Sequence, residues 1–172
     1  MFSTRDFCFR LAFCFVFSGI LPVPRETARA DDMGIAGEEL LKMLVQTRID
    51  GEGSLQARAA WERLVERDAR VLPQILLAMK DADAVGVNWL RTAADAIVRR
   101  ERRSSDPQIP CDDLRAIVLN PLCDSRARRL ALSMLESEEP GTLKRLLPSL
   151  LEDRAFRLDA VEMLIADADA AL

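Results

Sequence analysis

After the first thirty residues, apolar side chains recur three, four, seven and eight residues apart, which is the period of an α-helix. Leu40, Leu41, Leu44 and Val45 form the first such stripe. The sequence GEGS, residues 51–54, then predicts a turn, with Ser54 as the N-cap of the next helix. Because the alternation of apolar and polar residues typical of strands is absent, the pattern predicts an all-α protein.

A different stripe, of five residues, occurs four times along the chain, and its four copies are separated by intervals of 33, 37 and 29 residues. Intervals of this size are typical of repeats that contain two helices. Only Asp159 interrupts the apolar pattern, and each stripe carries an arginine directly after its first member. The four stripes are Ala57, Ala60, Trp61, Leu64 and Val65; Leu90, Ala93, Ala94, Ile97 and Val98; Ala127, Leu130, Ala131, Met134 and Leu135; and Phe156, Asp159, Ala160, Met163 and Leu164.

Two prolines occupy equivalent positions on the second helix of a repeat, Pro73 and Pro148. A proline inside a helix costs about 3 kcal/mol, but the first turn tolerates it. Pro73 lies near the first turn if Asp68 is the N-cap, whereas Pro148 lies deeper if its helix starts at Pro140, so we expect a bend there. Stacking of such pairs would bury their apolar faces, which predicts an α-solenoid of antiparallel helix pairs over residues 31–172.

Two segments share the pattern Asp-x-x-x-Arg-x-x-Ala-[Leu/Val]-x-x-Leu. They are DSRARRLALSML, with Asp124 and Arg128, and DRAFRLDAVEML, with Asp153 and Arg157. Both resemble the first helix of HEAT-type repeats, and residues 54–166 resemble the HEAT-like segment near the N-terminus of large exported bacterial proteins. The resemblance implies a scaffold that binds a protein partner. An Asp–Arg ladder between repeats is expected only in the C-terminal half, because Ser54 and Val87 replace the aspartate earlier.

The first thirty residues predict a signal peptide. A charged start precedes the short apolar run LAFCFVFSGILPV, and Ala28-Arg29-Ala30 provides a small-x-small cleavage site. The apolar run is shorter than the roughly 20 residues of a membrane-spanning helix. We therefore expect cleavage after Ala30 and a periplasmic or secreted protein, residues 31–172, with no stable membrane span.

The charge and the missing residue types narrow the possible functions. The chain has a net charge of −4, and removal of a leader with four basic and two acidic residues makes it −6. Nucleic-acid binding relies on cationic surfaces, so we expect no nucleic-acid partner. The chain has no histidine and no tyrosine. Since histidine is the usual general base and a common metal ligand, we predict no catalytic, cofactor-binding or metal-binding residues and no bound metal.

Cys111 and Cys123 remain after removal of the leader. A predicted helix of about 12 Å separates them, whereas a disulfide needs Cα atoms within about 7 Å. We favour two unpaired cysteines, with a disulfide as the alternative because export would expose the chain to oxidising conditions.

Charged clusters and tryptophans offer further candidate sites. The run Arg99–Arg103 suits either a helix C-terminus or an anion, and we favour the helix C-terminus. We interpret three carboxylate pairs as helix caps and solvated groups; acid–base catalysis or a cation site is the alternative. Trp61 is predicted to be in the core and Trp89 to be partly exposed. The carboxylate pairs are Asp81 and Asp83, Asp112 and Asp113, and Glu138 and Glu139.

Three functions follow from these observations. The first is an exported repeat module that acts as a protein-interaction scaffold without catalysis. The second is a non-catalytic N-terminal part of a larger exported protein or enzyme. The third is an enzyme similar to the HEAT-type lyases that attach pigments to protein thiols, and the lack of histidine and tyrosine speaks against it.

Export leads to a prediction about the mature N-terminus. Because the leader has the three parts of a signal peptide, N-terminal sequencing of protein from the cell envelope or medium should begin at Asp31. A cytoplasmic product that begins at Met1 would contradict the prediction.

Overall fold

The computed structural model describes residues 35–48 and 50–170, and this part of the chain is helical with no strand. The predicted all-α class is therefore confirmed. The predicted signal peptide and its cleavage site at Ala30 lie outside the described residues. The α-helices are α1 (Ile35–Val45), α2 (Ser54–Leu64), α3 (Leu72–Ala78), α4 (Ala84–Glu101), α5 (Cys111–Leu119), α6 (Ser125–Glu138), α7 (Thr142–Leu146) and α8 (Arg157–Ala170). Short 3₁₀ helices span Ala69–Val71, Met79–Asp81 and Leu147–Leu150.

Neighbouring helices pack in pairs. The first pair is α1 with α2, the second α3 with α4, and the third α5 with α6. The fourth consists of α7, the 3₁₀ helix Leu147–Leu150 and α8. Contacts of α1 with α3 and α4, of α3 with α5 and α6, and of α6 with α7 join each pair to the next. Among the described residues, none of the larger helix contacts joins the first pair to the fourth.

One cluster of buried side chains runs from Leu40 in α1 to Phe156 before α8. The second and third stripes are almost entirely buried, as predicted, and the interior also includes Leu132, which the pattern had left out. Trp61, predicted to be in the core, is partly buried and packs against it. The assignment of Leu164 was wrong: it is 47% exposed, because it lies on a side of α8 that no described helix covers.

The two prolines have different local structures. Pro73 lies in the first turn of α3, as predicted, after a 3₁₀ helix whose N-cap is Asp68. Pro148 lies in the first turn of the 3₁₀ helix Leu147–Leu150, which follows α7 directly. At the position where a bend was expected, the chain changes from α-helix to 3₁₀ helix, which places the proline nitrogen where an intrahelical hydrogen bond is not required.

Glycines and aspartates determine where several helices begin. Ser54 does not cap α2 as predicted; Gly53 precedes that helix with φ of 80°, a conformation that favours glycine. Asp83 and Asp124 are N-caps, and their carboxylates accept backbone hydrogen bonds from α4 and α6. Gly86 is buried, and a Cβ there would lie 3.1 Å from the carbonyl oxygen of Leu44, so the lack of a side chain lets α4 approach the end of α1.

The burial of the third stripe predicts the stability of two matched variants. Leu135 is fully buried in α6, so Leu135→Ala should lower the free energy of unfolding by about 2–5 kcal/mol through lost burial and a cavity. The same substitution at Leu122, which is 86% exposed, should change it by no more than about 0.5 kcal/mol. Urea unfolding followed by circular dichroism measures both values, and equal losses would mean that the wrong face of α6 is buried.

Candidate functional site

Arg128 is a buried cation that joins the third pair to the fourth. Its side chain in α6 is almost inaccessible, with the residue 3% exposed. Its Nε donates to the carbonyl oxygen of Val118 at 2.9 Å, and its Nη2 donates to Oδ2 of Asp153 at 2.5 Å. The guanidinium also lies 4.9 Å from the centre of the Phe156 ring. One Asp–Arg contact between neighbouring pairs is therefore present in the C-terminal half, between Arg128 and Asp153, and it orients α6 relative to the fourth pair.

Asp124 has a different partner from the one that its spacing to Arg128 suggests. Its Oδ1 accepts hydrogen bonds from the backbone nitrogen of Arg126 at 2.8 Å and from the Nε of Arg126 at 3.0 Å. Arg126 Nη2 also donates to the carbonyl oxygen of Met79 at 2.9 Å. The Arg126 side chain beside Asp124 holds the pKa of that carboxyl below its ordinary value. These contacts fix the Arg126 guanidinium beside the second pair.

A groove of about 380 Å³ lies beside Arg126, between α4 and α6. It has an apolar component and a cationic rim, because three of its seven lining residues are arginines. The lining residues are Met79, Val87, Arg91, Arg126, Arg129, Leu130 and Ser133. We call this the arginine groove, and its mixture of apolar and cationic groups suits a ligand that carries both apolar and anionic groups.

A second groove, of about 360 Å³, lies on the other side of α6, towards the fourth pair. Arg129 and Ser133 line both grooves and therefore stand on the ridge between them. Leu143 and Phe156 supply apolar surface to the second groove, and Glu136 and Asp159 supply carboxylates. The outer surface of α6 thus separates a cationic groove from a groove of mixed charge.

The arginines at the arginine groove are held to different degrees. Arg129 Nη1 lies 2.8 Å from Oδ2 of Asp159, and Arg129 Nη2 donates to the carbonyl oxygen of Ala155. Arg91 is 66% exposed, and its Nε lies 4.0 Å from the carboxylate of Asp95, the limit of an ion pair. Arg126 and Arg129 are therefore preorganised, whereas Arg91 retains an accessible guanidinium for an incoming anion.

The arginine run before residue 104 makes contacts within the protein. Arg100 donates to the carbonyl oxygens of Val65 and Arg67 at the end of α2, and Arg102 Nε lies 2.5 Å from Glu138 Oε1. The Arg100 contacts support the interpretation that the run serves helix ends, whereas Arg102 forms an ion pair with a side chain of α6. At least one member of each carboxylate pair is likewise used in a cap or an ion pair: Asp83 caps α4, and Asp112 and Glu139 each lie 2.7 Å from Arg115.

The cysteines and tryptophans do not form a site. Cys111 and Cys123 are unpaired and partly buried, as favoured from the sequence. Burial, followed by the nearby charge of Glu139, raises the pKa of the Cys111 thiol. Trp89 is partly exposed, as expected, and packs against the core, but it is not among the residues that line the arginine groove. Among residues 35–48 and 50–170, no three histidine, cysteine, aspartate or glutamate side chains are arranged to hold a metal ion.

Arg126, Arg129 and Ser133 are exposed on α6, outside the apolar stripe of that helix, but the stripe alone does not identify the groove. The arginine groove also needs Met79, Val87 and Arg91 from the second pair, and only the packing of α6 against that pair brings them together. The spacing of Arg126, Arg129 and Ser133 by three and four residues was the available signal.

Comparisons of the chain with protein families, with curated proteins and with solved structures found no match. In the part of the chain that the structure describes, no helix combines the length and the apolar character that a membrane crossing requires.

The Arg128–Asp153 pair predicts how stability depends on pH. The hydrogen bond from Arg128 holds the pKa of Asp153 below its ordinary value of 3.8 in the folded protein. A lowered folded-state pKa stabilises the fold above the unfolded-state pKa, and this stabilisation is lost as the pH falls through the folded-state value. Asp153→Asn should therefore be less stable than the parent at pH 7, and the difference should shrink below about pH 4.

Urea unfolding at pH 7 and below about pH 4 measures the difference in the free energy of unfolding between Asp153→Asn and the parent. Asp106→Asn, in the exposed loop before α5, is the matched control and should differ little from the parent at either pH. A loss for Asp153→Asn that is equally large in acid would mean that the Asp153 charge does not stabilise the fold.

Proposed function

We propose that this chain is an exported, HEAT-like α-solenoid module that binds another protein and does not catalyse a reaction. The observation that carries this proposal is the arginine groove, which combines an apolar component with three guanidinium groups on an otherwise acidic chain. Grooves of this kind between packed helices bind the side chains of a peptide or helix.

The solenoid part of the proposal is supported by the order of helix contacts. The larger contacts between pairs join the first pair to the second, the second to the third and the third to the fourth. Stacked pairs with contacts only between neighbours are characteristic of repeat arrays, which present extended surfaces to their partners. In such an array, the grooves beside α6 would form part of the binding surface.

The chemistry of the groove defines the partner. Leu130, Val87 and Met79 suit an apolar side chain, and the surrounding arginines suit carboxylates on either side of it. We therefore propose that the partner presents an acidic segment with at least one apolar anchor. Attraction between this segment and the groove should weaken as salt screens the accessible charge of Arg91.

Position-specific photocrosslinking tests this proposal. A photoreactive residue at Ser133, on the ridge beside the groove, should crosslink to a defined protein in cells that express the gene naturally. The same residue at Ser149, exposed in the fourth pair, is the control for general proximity. Mass spectrometry of the crosslinked peptide should identify an acidic segment in the partner.

Charge reversal then tests the role of the groove in binding. Arg91→Glu should weaken binding of the purified partner by at least about tenfold, equivalent to about 1.4 kcal/mol, because it repels the acidic segment. Arg70→Glu makes the same change at an exposed arginine outside the groove and should leave affinity almost unchanged. Isothermal titration calorimetry at low and high salt measures both variants, and equal affinities for them would contradict the assignment of this groove.

A further inference from the structure

A strip of apolar side chains runs along the outer side of α8. Leu158, Val161, Ile165 and Ala168 are all exposed, and Leu158 and Ile165 are 73% and 57% accessible. Their spacing of three, four and three residues places them along one face of the helix. On another face of the helix, Ala160 is fully buried. We call these four residues the α8 strip.

The corresponding side of α6, the equivalent helix one repeat earlier, is covered by the next helix pair. Val161 and Leu164 lie 29 residues after Leu132 and Leu135, at equivalent positions of the repeat. Leu132 and Leu135 are buried, and Leu132 lies beside Leu143 and Phe156 of the next pair. Val161 and Leu164 are exposed, so the side of α8 that corresponds to a packing surface of α6 is uncovered within the described residues.

We propose that the α8 strip is the interface of a homodimer, in which the α8 helices of two copies pair in parallel about a two-fold axis. The spacing of the strip corresponds to positions a and d of a heptad, the positions that meet in a two-helix interface. Leu164 flanks the strip and adds apolar surface to it. A second copy therefore covers the same kind of surface that the fourth pair covers on α6.

The charges beside the strip favour this arrangement. Arg157 and Glu162 are exposed on opposite edges of the strip, five residues apart, which corresponds to heptad positions g and e. In a parallel pair, each g residue faces the e residue of the next heptad on the other helix, so Arg157 of each copy meets Glu162 of the other. Two-fold symmetry forms this ion pair twice.

The Arg157 guanidinium is held by carbonyl oxygens of its own chain. Its Nε and Nη2 lie 3.4 Å and 3.3 Å from the carbonyl oxygens of Leu151 and Glu152. Arg128, its equivalent in α6, has the same kind of carbonyl contact and an additional carboxylate from the next pair, Asp153. The dimer supplies the corresponding carboxylate to Arg157 through Glu162.

Head-to-tail stacking of copies fits less well. That arrangement would place the first pair of one copy on α8 of another. At the position of Asp153, however, the first pair has Ser54, which offers no carboxylate to Arg157. Head-to-tail contacts also generate open filaments, whereas a two-fold pair is closed.

Sedimentation velocity on the full gene product, purified from the compartment in which it accumulates, tests the proposal. The parent should sediment as a dimer at about 100 µM, and Ile165→Glu should sediment as a monomer at that concentration. Leu122→Glu introduces the same charge at an exposed leucine outside the strip and should remain dimeric. Circular dichroism should show unchanged helix content, since both positions are exposed.

A charge exchange tests the parallel orientation. Glu162→Arg should raise the dimer dissociation constant by at least about tenfold, because the new arginine repels Arg157 of the other copy. The double variant Arg157→Glu/Glu162→Arg should recover most of the lost affinity. A monomeric parent at about 100 µM, a dimer that survives Ile165→Glu or a double variant without recovery would each overturn the proposal. A monomeric parent whose α8 strip binds a different protein would overturn it as well.

This inference does not depend on the proposed function. No residue of the α8 strip lines the arginine groove. Arg91→Glu should therefore leave the dimer intact, and Ile165→Glu should leave partner binding intact. The two proposals are thus tested independently of each other.

Discussion

The C-terminal half of the molecule depends on the contacts that the guanidinium of Arg128 makes. A buried cation is costly unless hydrogen bonds and an opposite charge compensate it, and here Val118 and Asp153 provide both. These two partners come from different helix pairs, so the cation is fully satisfied only when both pairs are in place. The ring of Phe156 closes the same site and connects it to the apolar core. At this junction, the arrangement that stacks the third pair on the fourth is therefore also the one that satisfies the buried charge of Arg128.

Other arginines join the pairs in a related way, through backbone carbonyls. Arg100 reaches the end of α2, Arg126 reaches the carbonyl oxygen of Met79 before α4, and Arg129 reaches that of Ala155 before α8. The last carbonyls of a helix lack intrahelical donors and carry partial negative charge, so Arg100 and Arg126 satisfy both needs at the ends of α2 and α3. Arg129 instead contacts a carbonyl in the turn before α8. The arginine groove lies where Arg126 and Arg129 make such contacts. Its cationic character is thus a product of the same residues that hold the pairs together.

The helical class and most of the interior were predictable, because the period of the apolar residues reflects which side of each helix is buried. Ala93, Ile97, Ala131 and Leu135 were assigned to the core from that period alone, and all are buried. The start of α2 was not predictable in the same way, since Ser54 is a favourable cap by residue type and only the backbone conformation of Gly53 excludes that role. Leu164 was misplaced because periodicity identifies an apolar side without showing whether another helix covers it. The arginine groove depends on residues more than forty positions apart, and local patterns do not contain that information.

The use of carbonyl acceptors has a consequence for how such a chain can diverge over evolution. A pair of interacting side chains constrains two positions, and a change at one selects for a change at the other. Arg100 needs only the main chain at Val65 and Arg67, where almost any residue supplies the same acceptor. Junctions of this kind preserve the geometry of the fold while one partner segment drifts freely in sequence, and they leave no correlated substitutions behind. Two descendants of a common ancestor can then keep the same architecture after their sequences have ceased to resemble each other.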